Sequence, residues 1–598
     1  MRKFLLMGLV FMFLFSNAAP SFAQTDVQSL KIGIIGDEST LNPYTYNTGY
    51  PGLDLVSLLY DTLFQLDQDN KPIPWLVKEY TISEDGLTYN LKLNENIKWH
   101  DGKPLTAEDV KFTIDYFLEY PKSRFTNPLK TISSVTVENE TDITLVLTKP
   151  EPNFMIQPLA DLPILPKHIW SSITTPDSES NAIGSGPYIL TEYTADQYYK
   201  MTANPDYFKE EPPIKEIIFP IIEDTTALYN ALKSGEIDAV TSNISPELVS
   251  QFESNPSLKI ARGAGFSTTL FQINAEKYPM TEKPFRQAIN FAIDKQNLVD
   301  TVLLGFAEVG SPGFIHPESP FYNSELKPVY DTEKAKQILE DAGFKDTNGD
   351  GFREDPNGEE IDLTTLVHSN NPIRIRVAEL ISESLNGIGI KNTVKALDDT
   401  TVISLMWPDY DVSKGRNFDL GIFGWSNTMQ LFPDRIVELF YSDPAVGAVN
   451  IGGYKNPEFD KLSDQLRATF DEVERQNLIK DLQSFVADEA PIVTLYYQEI
   501  VNAYNPSIYD GYVFQAGKGI INKLSFVAGE RPVDASENEN PSEVEKDKST
   551  DSDTAGESST EKNNSGILLF GGLIILGVII FFILKRKKKS ANNDDFEF

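Results

Sequence analysis

Cysteine is absent from all 598 residues. Disulfides, thiol catalysis and lipid attachment through an N-terminal cysteine are thereby excluded, and packing alone must hold the fold. Histidine is nearly as scarce. The four, His100, His168, His316 and His368, are scattered without the spacing of a metal-binding pair. The phosphate-loop pattern G-x-x-x-x-G-K-[ST] and the nucleophile-elbow pattern G-x-S-x-G are missing as well. Gly263-Ala264-Gly265 is a glycine pair without a third and reads as a tight turn. Basic residues are outnumbered, 52 Lys and Arg against 88 Asp and Glu. The resulting net charge of -36 argues against a nucleic-acid partner, because phosphate binding needs a basic surface. No enzyme signature is left to start from.

What is present begins with 40% hydrophobic and 11% aromatic residues, ample for packed cores. The two ends predict the topology. Arg2 and Lys3 precede an apolar run over 4–15, and Ser21-Phe22-Ala23 offers small residues for cleavage, so 1–23 reads as a signal peptide. Residues 566–584 carry no charge. As a helix they extend about 28 Å at ~1.5 Å per residue, close to the ~30 Å hydrocarbon core. Lys585, Arg586, Lys587, Lys588 and Lys589 follow. The expectation is a transmembrane helix over 566–584, a cytoplasmic tail over 585–598 and a single-pass, cell-membrane protein with its binding domain extracellular. Residues 531–565 are Ser, Thr, Asp, Glu, Asn and Lys with hardly any large apolar side chain, and read as a disordered linker. About 500 residues between the ends suggest two or three domains.

Within them, 30–35 (LKIGII) reads as a buried strand, and 81–93 alternates around Asp85-Gly86 as a hairpin. Thr106 is placed to cap a helix that opens with Glu108 and Asp109. Helical spacing recurs over 285–304, 332–342, 375–385 and 458–489, with strands over 135–147, 217–222, 363–368, 418–423 and 492–497. Helices interleaved with short buried strands indicate an α/β class.

Several separated segments then share one order. They are Leu41-Asn42-Pro43, Tyr60-Asp61-Thr62-Leu63-Phe64, DGLTYNLKLNENIKWHDGKPLTAEDVKFTIDYF (85–117), Gly184-Ser185-Gly186-Pro187-Tyr188 and Asn204-Pro205-Asp206-Tyr207-Phe208. ALKSGEIDAV (231–240), FRQAINFAIDKQNLV (285–299), EKAKQILEDAGF (333–344), Gly424-Trp425 and NPEFDKL (456–462) continue it. Over 29–528 the chain resembles the extracellular solute-binding proteins of family 5, the oligopeptide, dipeptide and nickel-binding class that serves ABC importers. The resemblance implies a bilobed periplasmic-binding-protein-like fold of the large three-domain variant. It assigns 27–57, 183–281 and 498–530 to one lobe, 58–182 to an accessory domain and 282–497 to the other lobe. It also implies ABC permease subunits as partners, no catalysis, and an oligopeptide as ligand, with an oligosaccharide as rival. A cell-surface hydrolase or a sensory or adhesive ectodomain is the reading from another class.

Ligand contacts are expected where loops face the gap between lobes. Glu38 and Tyr44 follow the first strand, and Trp425, Ser426, Asn427 and Thr428 follow a strand of the other lobe. Peptide-binding relatives carry an aspartate three residues after that tryptophan, for the ligand's amine. Thr428 stands there here, and Asp434 or Glu38 could supply the charge instead. The dipeptide binders' carboxylate-binding arginine resembles position 375, which is isoleucine between Arg374 and Arg376. One cofactor is conceivable, a structural calcium ion. Asp346, Asn348 and Asp350 with Gly351, the Phe352 carbonyl and Glu354 imitate the first half of an EF-hand loop, although Asn357 replaces the bidentate glutamate.

Overall fold

The computed structural model describes residues 27–45, 52–178, 182–426, 430 and 432–527, all within the first of two compact units, Met1–Val533. The expected signal peptide (1–23), linker (531–565), membrane helix (566–584) and tail (585–598) lie outside them. Among the described residues no helix is long and apolar enough to cross a membrane. The expectation of a fold completed by a C-terminal transmembrane helix, and the single-pass placement built on it, is corrected accordingly: the α/β bilobed architecture stands without that helix.

Two long strands organise the molecule. Lys259–Ile273 and Ile492–Tyr504 run antiparallel at the centre of an eleven-stranded sheet. From the centre toward one edge come Leu420–Trp425, Asp362–His368 and Lys391–Leu397; toward the other come Ala239–Val240, Leu30–Gly33, Glu216–Pro220, Tyr198–Ala203 and Tyr188–Thr194. Ala307–Val309 pairs beside Ile492–Tyr504. The second central strand reads IVTLYYQEIVNAY, rich in β-branched and aromatic residues that suit a pleated surface, and its first six are buried.

The pairing of the two central strands shifts register twice, by the larger step between Gly263 and Ser267 and again between Thr269 and Leu270. Residues 259–263 face 500–504, then the register slips, and 267–272 face 492–498. On one side of the slip Ala261, Val501 and Ala503 pack with cores built from 27–260 and 501–527. On the other side Leu270, Phe271 and Val493 join cores built from 270–496. The slip is therefore where the chain passes between lobes. Gly263-Ala264-Gly265 lies here and not in a tight turn. A Cβ on Gly265 would collide with the Gln498 carbonyl, and Phe266 adopts φ 57°, so the irregularity needs a residue without a side chain.

Packed on this crossing is His316, its ring 4.7 Å from Phe266 and 4.6 Å from Tyr497, centroid to centroid. Its Nδ1 accepts the Glu318 amide at 3.0 Å. Its own amide donates to Gln430 Oε1 at 2.8 Å, and Gln430 Nε2 donates to Thr268 Oγ1 and the Phe314 carbonyl, both at 3.0 Å. Tyr497 OH donates to the Phe314 carbonyl at 2.6 Å. The crossing is thus clamped by neutral hydrogen bonds and tilted ring contacts.

The accessory part is a four-stranded antiparallel sheet, Val77–Ile82, Thr88–Leu93, Asp142–Leu147 and Ile132–Val137 in spatial order, with Ala107–Glu119 packed against it. Asp109 accepts the Thr106 amide at 2.8 Å, the capping arrangement that the sequence predicts. Two long helices expected from periodicity are each broken. Lys283–Ala292 is followed by Lys295–Thr301, and Pro457–Ala468 by Glu472–Glu489. Asp294 accepts the Asn297 amide and Asp471 the Glu474 amide, so each aspartate begins a new helix inside an apolar pattern that continues across the break.

Behind the cleft floor, Asp61 is fully buried and accepts four hydrogen bonds: Lys523 Nζ at 2.7 Å, Trp75 Nε1 at 2.9 Å, Ser185 Oγ at 3.0 Å and Tyr207 OH at 3.1 Å. Burial pushes the Lys523 ammonium down, and the Asp61 carboxylate opposes that shift. This hub ties 60–75, 185–207 and the C-terminal 523 together. Asp61→Ala would leave the buried Lys523 ammonium without its counter-charge, with only the Tyr60 carbonyl as acceptor, and would take from Ser185 and Tyr207 the acceptor of their hydroxyls. It should lower stability by about 3–5 kcal/mol, read as an earlier urea midpoint. An unchanged midpoint would contradict the role.

His316 gives a pH prediction. Burial holds the imidazole down, to about 4 from 6.5. The unfolded chain then binds more protons than the folded one between those values, so this stability is full above about pH 6.5 and lost as pH falls toward 4. At about 1.4 kcal/mol per pH unit the effect is on the order of 3 kcal/mol. Melting temperature should fall less steeply over this window in His316→Asn than in the natural sequence; equal slopes would contradict it.

Candidate ligand cleft

A cavity of about 730 Å³ opens beside the crossing strands. The first lobe contributes Leu53, Asp54 and Ser57 from the helix Gly52–Leu59, with Tyr60, Lys518 and Lys523. Arg124 and Asp161 come from the accessory part, and Ser267 and Ser426 from the second lobe. A second cavity of about 270 Å³ shares Ser267 and Ser426 with it and continues along the second lobe between Thr268, Asn371, Arg374, Gly424, Trp425 and Tyr496. Together they form one groove with both lobes in its walls.

The smaller end is built by packing. Trp425 closes the strand Leu420–Trp425 opposite Thr268, half-buried, with its ring 5.2 Å from Phe423 and 5.7 Å from Trp407. Neither buried indole N–H, of Trp407 or Trp425, has an acceptor among the described residues. Arg374 lies in the first turn of Pro372–Gly387, begun by the Asn371 side chain. Its guanidinium packs flat on Gly424, where any Cβ would strike Nη2, which is why glycine precedes the tryptophan. No carboxylate pairs with Arg374 among the described residues, and burial pulls its pKa down while Tyr496 opposes. The sequence leaves Arg374 as one of two charges flanking Ile375; the fold turns it into the groove and leaves Arg376 exposed, paired to Glu379 at 3.0 Å.

At the larger end the charges differ in how far they are satisfied. Arg124 grips Asp161 with two hydrogen bonds, Nε to Oδ2 at 2.9 Å and Nη2 to Oδ1 at 2.6 Å. Asp54 has only Lys518 Nζ, 3.4 Å from Oδ1, and burial raises its pKa against the opposing lysine. Nothing in the sequence pattern singles out Asp54, because an acid in a helix's first turn is ordinary.

Of the residues expected to touch ligand, Trp425 and Ser426 line the groove, and Asn427 and Thr428 lie outside the described residues. Glu38 and Tyr44 do not line it. Glu38 is buried against Gly52, with its amide donating to Tyr199 OH at 2.9 Å. Tyr44 is a core residue, stacked 4.9 Å from Phe117 and 5.7 Å from Trp170, with its hydroxyl donating to the Tyr120 carbonyl at 2.9 Å. The fold thus places Tyr44 in the accessory core and not in the groove walls. Asp434 is likewise engaged elsewhere, held by Arg475 Nη2 at 2.6 Å and by Asn153 Nδ2 at 3.0 Å. Since Asn153 belongs to the accessory part, this bridge spans to the second lobe. Phe470, between two second-lobe helices, makes another by covering Gly86 at the hairpin tip.

In the loop compared with an EF-hand, the side chains serve the loop itself. Asp346 accepts the Gly349 and Gly351 amides, Asp350 the Phe352 amide, and Glu354 the Thr347 amide and Asn348 Nδ2. Asn348 Oδ1 accepts the Asp350 amide. No group of three or more His, Cys, Asp or Glu placed to hold a metal ion occurs among the described residues.

The described residues form a bilobed α/β protein with a groove between its lobes. The profile of the bacterial extracellular solute-binding proteins, family 5 (middle), matches residues 71–447, and the chain belongs to that family. It is 29% identical over 506 residues to the oligopeptide-binding protein AppA of Bacillus subtilis, covering 82% of this chain and 90% of the relative. The structure of that protein with a nonapeptide superposes with a TM-score of 0.64 at 28% identity, covering 83% and 97% of the two chains. The substrate-binding protein CtaP of Listeria monocytogenes superposes with a TM-score of 0.73 at 27% identity, covering 84% and 99%. The nickel-binding periplasmic protein of Escherichia coli is 26% identical over 484 residues, covering 78% and 88%. The chain is a substrate-binding protein of an ABC transporter and not an enzyme.

Proposed function

We propose that the groove captures an oligopeptide, closes on it, and delivers it to the permease subunits of an ABC importer. The observation that carries the reading is Arg374, a half-buried guanidinium in the groove with no carboxylate of its own. A guanidinium taken from water without a partner costs stability, and a ligand carboxylate restores the loss through a two-pronged charge-assisted hydrogen bond. An oligosaccharide offers no such group, and the nonapeptide held by the Bacillus relative agrees in ligand class. Trp425, edge-on to Trp407, supplies a rigid apolar face beside the charge.

The test uses the purified full chain and a synthetic pool of lysine-free tri- to nonapeptides, with capture read by native mass spectrometry. The pool should bind, and Arg374→Gln should bind it at least tenfold more weakly while melting at the same temperature. Methyl-esterifying the peptide carboxylates should cost the natural protein about as much as the substitution does. Capture of malto-oligosaccharides with no capture of peptides would contradict the reading.

A further inference from the structure

Resting on the peptide reading, a second anchor emerges from a carboxylate with one oxygen still open at the other end of the groove. A peptide carries an ammonium as well as a carboxylate, and a buried ammonium needs a carboxylate within hydrogen-bond reach. In the second lobe the position three residues beyond Trp425 is Thr428, which carries no charge. Asp434 is saturated by Arg475 and Asn153. Asp161 faces the cavity but both its oxygens are taken by Arg124. Asp61 lies behind the floor with four donors.

Asp54 is different from each of these. It lines the large cavity, its Oδ1 meets Lys518 at a loose 3.4 Å, and its Oδ2 accepts no hydrogen bond among the described residues. We propose that Asp54 is the counter-charge for the free ammonium of the bound peptide, so that the groove reads one terminus on the first lobe and the other on the second. Ser267 and Ser426, common to both cavities, lie between the two anchors and make the path continuous. A ligand with both termini free then ties Asp54 of one lobe to Arg374 of the other, and closure is favoured only by ligands that carry both charges. Burial disfavours the Asp54 carboxylate as it stands, and an ammonium at its open oxygen would relieve that cost.

The same lysine-free pool, free or N-acetylated, is offered to the natural protein and to Asp54→Asn, with melting temperature as the folding control. The natural protein should prefer free amines at least tenfold, and Asp54→Asn should lose that preference while binding the acetylated pool as the natural protein does. Equal capture of both pools by the natural protein overturns the proposal without any variant. A preference that survives in Asp54→Asn overturns it too, because the ammonium is then read elsewhere. Failure to capture either pool would instead remove the peptide reading itself, and this inference with it.

Discussion

The antiparallel pairing of 259–273 with 492–504 is the constraint on which the rest depends. Each strand contributes to both halves of the molecule, so the lobes are joined by backbone hydrogen bonds within one sheet and not by a loose linker. The larger register slip, at 263–267, concentrates the irregularity in a few residues, and His316, Gln430 and Tyr497 pack directly on it. A hinge of this kind allows lobes to move about a few positions while the strands flanking it stay paired. Ser267 follows the slip immediately and lines both cavities, so the groove begins where the crossing occurs.

Around that axis the site combines satisfied and unsatisfied charge. Asp61 with Lys523 and Asp161 with Arg124 are closed pairs that hold walls in place. Less satisfied, among the described residues, are Arg374, which has no carboxylate, and Asp54, which meets Lys518 through one oxygen only, on opposite lobes. Burying charge without a partner costs free energy, and a protein that binds charged ligands keeps such groups because the ligand completes them. Saturated pairs hold the walls, and the proposed recognition falls to the less satisfied charges.

Much of the architecture was legible because it rests on local rules. Alternation around Asp85-Gly86 marked the hairpin, and the run LKIGII marked the strand that begins the first lobe. The motif at 60–64 was readable as a family feature, but its purpose, the Asp61 hub, joins residues up to 462 positions apart and leaves no local trace. The strand 259–273 was hidden by its glycines, which resemble a turn until the approach of Gln498 explains them. Periodicity ran two helices into one at 293–294 and 469–471 because apolar spacing continues across a capping aspartate. Tyr44, expected at the groove, packs in the accessory core, and Arg374, left undecided beside Ile375, lines the groove, since an aromatic near a loop and an arginine near a helix start are each compatible with either place.

The most direct test of the account is hydrogen–deuterium exchange on the full chain with and without the peptide pool. The central claim predicts new protection in the groove walls at 52–59, 267–269, 371–374 and 424–426, from both lobes at once. Protection confined to one lobe, or appearing only around a separate second-lobe cavity of about 330 Å³ lined by Glu276, Arg286 and Lys455, would contradict it.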